Sequence, residues 1–301
     1  MKICSKITLL LFLSLISTAC TPTDLASALV PPFAMTGPRN LSYLPGPRHE
    51  LDIYRPTFSS NQNLPVVIWL YGGYWQNGSR QMYRSLAYPF TSAGYLVVIP
   101  DYRLYPDVRF PAFIDDAAAA VAWTRLHIAS YGGDPSRIFL AGHSAGAYIA
   151  AMLNVDHRYL DHADVPAGTL KGVICLSAPL NFIPDNPALL GIFGSGTSPD
   201  YLNTQPRTFL TPHQAPMLLI QGDKDQLVHP GSNREFAHQI HEHGADAIAI
   251  SYPQMGHLGP LIAMIWPLWF TADVRDRCLD FLHEQQLTHP SHTPPTRSSH
   301  S

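Results

Sequence analysis

Apolar residues along this chain gather in short unbroken runs rather than in strict alternation. Such runs predict strands at His49–Tyr54, Val66–Tyr71, Tyr95–Pro100, Arg137–Ala141, Gly172–Ala178, Met217–Gln221 and Ala247–Tyr252. A strand that is apolar at every position has both faces covered, which is the pattern of a parallel sheet. Between these runs lie stretches with helical periodicity: Ser79–Ala93, Ala112–Ser130, Ser144–Leu153, Ser232–His243 and Ala272–Gln286. Gly244 follows the fourth as a C-cap, and Asp115 and Asp116 open the second, where the helix dipole favours negative charge. Strand and helix alternate in the order expected of one doubly wound α/β domain: a mostly parallel sheet with helices on both faces, running from about residue 41 to 287.

The ends of the chain read differently. Lys2 and Lys6 precede an apolar run, Ile7 to Ile16, that is too short to span a bilayer. The segment 1–19 closes on Ser17-Thr18-Ala19 before Cys20 and resembles a bacterial lipoprotein signal. The resemblance implies that Cys20 is lipidated, becomes the mature N-terminus and anchors an exported protein to a membrane. Thr21 behind it, rather than Asp, does not favour retention at the inner membrane, which points to the outer membrane or its periplasmic face. A plain secretory signal cut near Ala19 is the alternative. Residues 20–40, rich in Pro, Thr and Ala, then form a tether, and 288–301 is expected to be a disordered tail.

Composition narrows the partners. Of 301 residues, 46% are hydrophobic and 14% charged, so the chain carries a large core, and a net charge of −3 offers nucleic acid no basic surface. The expected partner is a small, neutral molecule. Beyond the signal segment two cysteines remain, Cys175 in a strand and Cys278 in a helix, placed as core thiols rather than as a disulfide. No Cys-x-x-Cys or His-Glu-x-x-His spacing is present, so a structural or catalytic metal is not expected.

Gly142-His143-Ser144-Ala145-Gly146 stands between a predicted strand and an apolar helix. A strand–G-x-S-x-G–helix unit forces the serine into a sharp turn with its hydroxyl exposed at the top of the sheet. The flanking glycines avoid collision with strand and helix. A serine hydroxyl needs a base and a group to orient that base. Asp225 follows the strand Met217–Gln221 and His257 follows Ala247–Tyr252, giving the chain order Ser…Asp…His. Asp223 lies in the same turn as Asp225, but the G-x-x-D-x-x-V spacing favours Asp225. The oxyanion donors expected are the N–H of Ala145 and those of the glycine loop after Val66–Tyr71, in Tyr71-Gly72-Gly73-Tyr74-Trp75. His143 has a packing or hydrogen-bonding place within the turn.

Together with Leu51-Asp52-Ile53-Tyr54-Arg55-Pro56, Asp101-Tyr102-Arg103-Leu104 and Tyr131-Gly132-Gly133-Asp134-Pro135-Ser136-Arg137-Ile138, these motifs resemble the α/β-hydrolases of the hormone-sensitive-lipase-like or bacterial carboxylesterase group. They also resemble prenylcysteine methylesterases and kynurenine formamidases. The resemblance implies an ester hydrolase acting through an acyl-enzyme on Ser144, without a cofactor, with Gly73 and Tyr74 lining the oxyanion hole beside Gly72 and Ala145. Tyr71 stands where the family loop usually opens with histidine, leaving its hydroxyl to pin the loop from further away. The Tyr74-Trp75-Gln76 continuation is closer to the formamidases, so an amidase is the alternative, and a catalytically inactive binding protein the alternative of another class. The stretch 181–212 occupies the position of a cap or binding loop. The apolar run Leu261–Phe270 fits a helix buried against the sheet, with an acyl-pocket wall or a membrane contact as other readings.

Overall fold

The computed structural model of the chain describes residues 30–31, 34–57, 59 and 62–288. The expected signal segment, Cys20 and the residues from 289 onward lie outside the described residues. Each apolar run is a strand. In chain order the strands are β1 (Met35–Thr36), β2 (Leu41–Ser42), β3 (Glu50–Pro56), β4 (Leu64–Leu70), β5 (Leu96–Pro100), β6 (Gly133–His143), β7 (Leu170–Leu176), β8 (Met217–Gly222) and β9 (Ala247–Tyr252). They form one sheet in the order β1-β3-β5-β4-β6-β7-β8-β9, with β2 paired to β3. From β5 to β9 every pairing is parallel, whereas β1, β2 and β3 join antiparallel.

The continuous apolar runs have the expected cause. Val66 to Leu70 and Leu96 to Ile99 are fully buried at every position, so both pleat faces are covered. On β7 the Cys175 thiol lies 3.5 Å from the Ala147 carbonyl of the helix Ala145–Val155. Three residues earlier, on the opposite face, a Cβ at Gly172 would come within 3.0 Å of Phe281 in the helix Val274–Thr288. Helices thus cover both faces, as the strand–helix alternation predicts. Cys175 and Cys278 are both free and buried, and burial pushes both thiols up, away from the thiolate. Gly244 adopts a left-handed φ of 80° directly after the helix Ser232–Glu242 and its cap residue His243.

Three local expectations are corrected. Met35 and Thr36, assigned to the tether, pair with Arg55 and Pro56, and Met35 is buried, so the packed domain begins before Leu41. The predicted helix Ser79–Ala93 is broken into a 3-10 turn, Arg84–Ala87, and a single helical turn, Tyr88–Thr91. Pro89 accounts for the break, since it has no N–H to donate within a longer helix. Asp116 is not a helix-start charge in water. It is buried, accepts from Arg103 Nη2 at 2.7 Å and the Arg103 backbone at 2.9 Å, and lies 3.2 Å from His49 Nε2.

A second buried ion network ties the antiparallel edge to the loop after β4. Arg80, nearly fully buried, meets the Asp101 carboxylate and the Asn40 side chain, with Glu50 at 2.5 Å and Asp52 at 3.4 Å. Its own backbone N–H donates to Asp101 Oδ1 at 2.8 Å. Removing the cation would take the guanidinium from buried Asp52 and leave buried Asp101 with Arg48 3.8 Å away, and an undercompensated buried charge is far costlier than a lost surface pair. Arg80→Ala is therefore expected to lower unfolding stability by about 3–5 kcal/mol, read from the urea midpoint.

Candidate active site

In a parallel sheet all strands end on the same edge, and β4, β6, β7, β8 and β9 deliver their following loops there. Ser144 comes directly after β6, at φ 53° and ψ −120°, before the helix Ala145–Val155. That conformation costs a non-glycine residue about 1–3 kcal/mol, and the surroundings impose it. A Cβ at Gly142 would lie 2.7 Å from the Gly146 backbone, and one at Gly146 would lie 2.1 Å from the Leu70 carbonyl oxygen. The turn is tight because strand, helix and β4 meet with no room for side chains. The Ser144 N–H donates to the Leu176 carbonyl at 2.9 Å, fixing the turn to β7.

His257, after β9, places Nε2 2.9 Å from Ser144 Oγ. Its Nδ1 lies 2.9 Å from Asp225 Oδ2, so the neutral imidazole carries its proton on Nδ1 and offers Nε2 to the serine. Asp225 Oδ1 accepts the backbone N–H groups of Leu227 and Val228, each at 2.9 Å. Burial raises the Asp225 pKa, but the bonds from His257, Val228 and Leu227 outweigh it and hold the carboxyl below its ordinary value. Asp223 points elsewhere, towards Arg234 at 3.9 Å. The three residues Ser144, Asp225 and His257 are thus joined in one hydrogen-bonded chain.

The loop after β4 lies against this chain. A Cβ at Gly72 would meet the His143 carbonyl oxygen at 2.9 Å and Ser144 Cβ at 3.2 Å. Gly73 turns at φ 134°, and its carbonyl accepts the N–H groups of Gln76 and Asn77. Tyr74 and Trp75 follow at positive φ, 59° and 56°. Ala145, as the first helical residue, has an N–H with no partner inside its helix. Gly72 and Ala145 therefore lie directly beside Ser144, and Gly73 and Tyr74 continue the same loop.

Tyr71 pins the loop through its hydroxyl. The buried ring stacks between Tyr83 and Tyr102, at 5.4 and 4.6 Å. Its hydroxyl donates to Asp101 Oδ1 at 2.8 Å and accepts from Arg48 Nη2 at 2.7 Å. The same Arg48 nitrogen holds the Gly78 carbonyl at 2.8 Å, at the far end of the loop. The stretch 181–212 folds over this side: Asn186 Nδ2 donates to the Tyr74 hydroxyl at 3.0 Å, and Phe182 and Phe193 pack on Trp75.

Two further side chains hold His257 from behind. His143 Nε2 donates to the His257 carbonyl at 3.1 Å, and Ser177 Oγ donates to the same oxygen at 2.9 Å. Ser177 was not singled out in the sequence, although its place directly after β7, on the same sheet edge, is a usable signal. His143 is fully buried; burial first, and the neighbouring His257 second, lower its pKa from 6.5 to about 4. Because the folded value is the lower one, the unfolded chain takes up this proton first. Stability is full above pH 6.5 and falls towards pH 4, by as much as about 3 kcal/mol from this residue. His143→Gln is expected to show a correspondingly flatter fall in urea midpoint between those pH values.

The family model BD-FAE matches residues 51–240, more than half of the chain. The chain belongs to the BD-FAE family. It is an α/β-hydrolase, as the sequence motifs imply. Esterase LipQ of Mycobacterium tuberculosis is 29% identical over 255 residues, covering 75% of this chain and 58% of LipQ. A probable isoprenylcysteine alpha-carbonyl methylesterase, ICMEL1 of Oryza sativa subsp. japonica, is 41% identical over 150 residues, 48% of this chain and 35% of that protein. The chain thus spans about half the length, or less, of these curated relatives. A solved structure of esterase B from Lactobacillus rhamnosis, inhibited by a C6-C4 compound, shares the fold with a TM-score of 0.76 at 18% identity, over 88% of this chain and 92% of that one. Among the described residues no group of three or more His, Cys, Asp or Glu is placed to hold a metal ion.

Proposed function

We propose that this member of the BD-FAE family is a serine hydrolase of carboxylic esters, with small to medium acyl groups, working through an acyl-enzyme on Ser144. The observation that carries the reading is the continuous chain from Asp225 through His257 to Ser144 Oγ, with both links at 2.9 Å. His257 takes the serine proton as Oγ attacks the ester carbonyl, and Asp225 stabilises the imidazolium that results. The developing oxyanion is met by the backbone N–H groups of Ala145, Gly73 and Tyr74 beside Gly72, each well-aimed donor being worth roughly 3 kcal/mol in such sites. His257 then returns the proton to the leaving alcohol, and water repeats the cycle on the acyl-enzyme.

The relatives named as esterases support an ester rather than an amide substrate, and no contact in the site favours the formamidase reading. Retention of the hydrogen-bonded triad argues against an inactive binding protein. Export and lipid attachment at Cys20, on the outer side of a bacterial membrane, belong to the same proposal and rest on the sequence alone. Hydrolysis of p-nitrophenyl esters from acetate to long chains tests the activity. Ser144-dependent turnover with an optimum at short to medium chains is expected; a folded protein that cleaves none of the series would overturn it.

A further inference from the structure

Between His257 and Asp273 the chain carries no charged side chain. The sequence left this segment between a buried helix, a pocket wall and a membrane contact, and the structure divides it by face. Leu261, Ala263 and Met264 are buried, whereas Leu258, Ile262, Trp266 and Phe270 are 54%, 43%, 36% and 83% exposed. These four are spread along a short helix, Gly259–Ala263, the turn after it and a 3-10 turn, Leu268–Thr271, and they make the exposed apolar ridge of the segment that begins next to His257. Leu227, in the Asp225 turn whose carboxylate holds His257, is exposed as well. A soluble surface has no need of a tryptophan and a phenylalanine there, while a membrane interface favours both.

The path of the chain indicates what covers the ridge. Met35 Sδ, in the first described strand, lies 3.8 Å from Thr91 Oγ1. One turn earlier in the same helical segment, Tyr88 stacks on Trp269 at 5.4 Å and meets Trp266 edge-on at 6.4 Å. Trp269 is fixed by its N–H to the Met264 carbonyl at 2.8 Å and by the Arg275 guanidinium 4.0 Å above its ring. The N-terminal strand and the ridge therefore rest on one platform, Tyr88–Thr91. The fifteen residues from Cys20 to Met35 reach at most about 50 Å, so an anchor at Cys20 keeps the ridge within reach of the membrane that holds it.

We infer that Leu258, Ile262, Trp266 and Phe270 dock into the interfacial layer of that phospholipid membrane and present the Ser144 site to esters there. The inference rests on the export and anchoring reading, and its test separates the two. The lipid on Cys20 is read by mass spectrometry of the mature chain. That chain, placed in phosphatidylethanolamine/phosphatidylglycerol vesicles, carries an environment-sensitive dye at Phe270→Cys or, as control, at Leu126→Cys on the exposed side of the helix Ala112–His127; Cys175 and Cys278 are buried and do not compete. Doxyl lipids are expected to quench the dye at 270 at least about threefold more than at 126. Equal quenching overturns the ridge even when Cys20 is lipidated. If Cys20 carries no lipid, anchoring fails, and the same comparison in excess vesicles, made with Cys20→Ser so that only position 270 or 126 takes the dye, still decides the ridge. A concentration-dependent blue shift at 270 without vesicles would assign the ridge to a second copy of the chain and overturn membrane docking. Phe270→Ser is expected to leave turnover of a soluble ester unchanged, which keeps the result separate from the hydrolase reading.

Discussion

Ser144→Ala is expected to lower ester turnover by roughly 10⁵- to 10⁶-fold. The residual rate would come from backbone donors and substrate binding, which the substitution leaves in place. The reason for so large an effect is that, among the described residues, no other hydroxyl is hydrogen-bonded to the His257 ring: its Nε2 faces Ser144 Oγ, and the Ser177 hydroxyl is committed to the His257 carbonyl. Alanine keeps the strained backbone at position 144 because that strain is set by Gly142, Gly146 and Leu70. Thermal stability should therefore change little, and steady-state kinetics beside a melting curve check both halves. A protein that keeps turnover after this change hydrolyses by another route.

The second large effect is at the carboxylate. Asp225→Asn is expected to lower kcat by about 10⁴-fold, while Asp223→Asn leaves it near the parent value. An asparagine at 225 still fits the turn, and its carbonyl can still accept from Leu227 and Val228. What it then turns towards His257 Nδ1 is an amide N–H₂, which favours the imidazole tautomer that carries its proton on Nε2 and cannot accept one from Ser144. The charge that would stabilise the imidazolium is lost as well. Asp223, half-exposed and turned towards Arg234, touches neither ring nitrogen. Full kinetics on the two variants distinguish the carboxylates; the opposite ranking would place the orienting group at 223.

Legibility in the sequence followed the range of the interactions. Strands buried on both faces announce themselves locally, as β4 to β8 do, and β3 and the half-exposed edge strand β9 also lie within a few residues of their apolar runs. The two-residue strands β1 and β2 are too short to have a period, and they exist only because β3 offers them an edge. The elbow was readable because strand, G-x-S-x-G and helix are contiguous in the chain, although the clash that demands Gly146 comes from Leu70 and Tyr71 at the end of β4. Asp225 and His257 were readable because the strand order places their turns on the same sheet edge.

The contacts that support the site were not legible. Arg80 finds Asp101, Glu50 and Asp52 from elsewhere in the chain, and no spacing rule relates them. His143 and Ser177 bind a backbone carbonyl, 114 and 80 residues away, and a carbonyl has no signature in a sequence. Tyr71 was legible as a departure from the family loop, but its partners Arg48 and Asp101 became apparent only once β3, β4 and β5 were side by side. Leu261–Phe270 stayed ambiguous because one face is core and the other is not, and composition alone cannot divide a segment by face.

The central claim is that Ser144 Oγ is the atom acylated during turnover. Peptide mass spectrometry after incubation with a short-chain phosphonate ester addresses it directly. A single adduct on the peptide containing Ser144, formed as activity is lost and absent from Ser144→Ala, is the predicted result. Loss of activity with the adduct on another residue, or ester turnover that persists while Ser144 is fully modified, would contradict it.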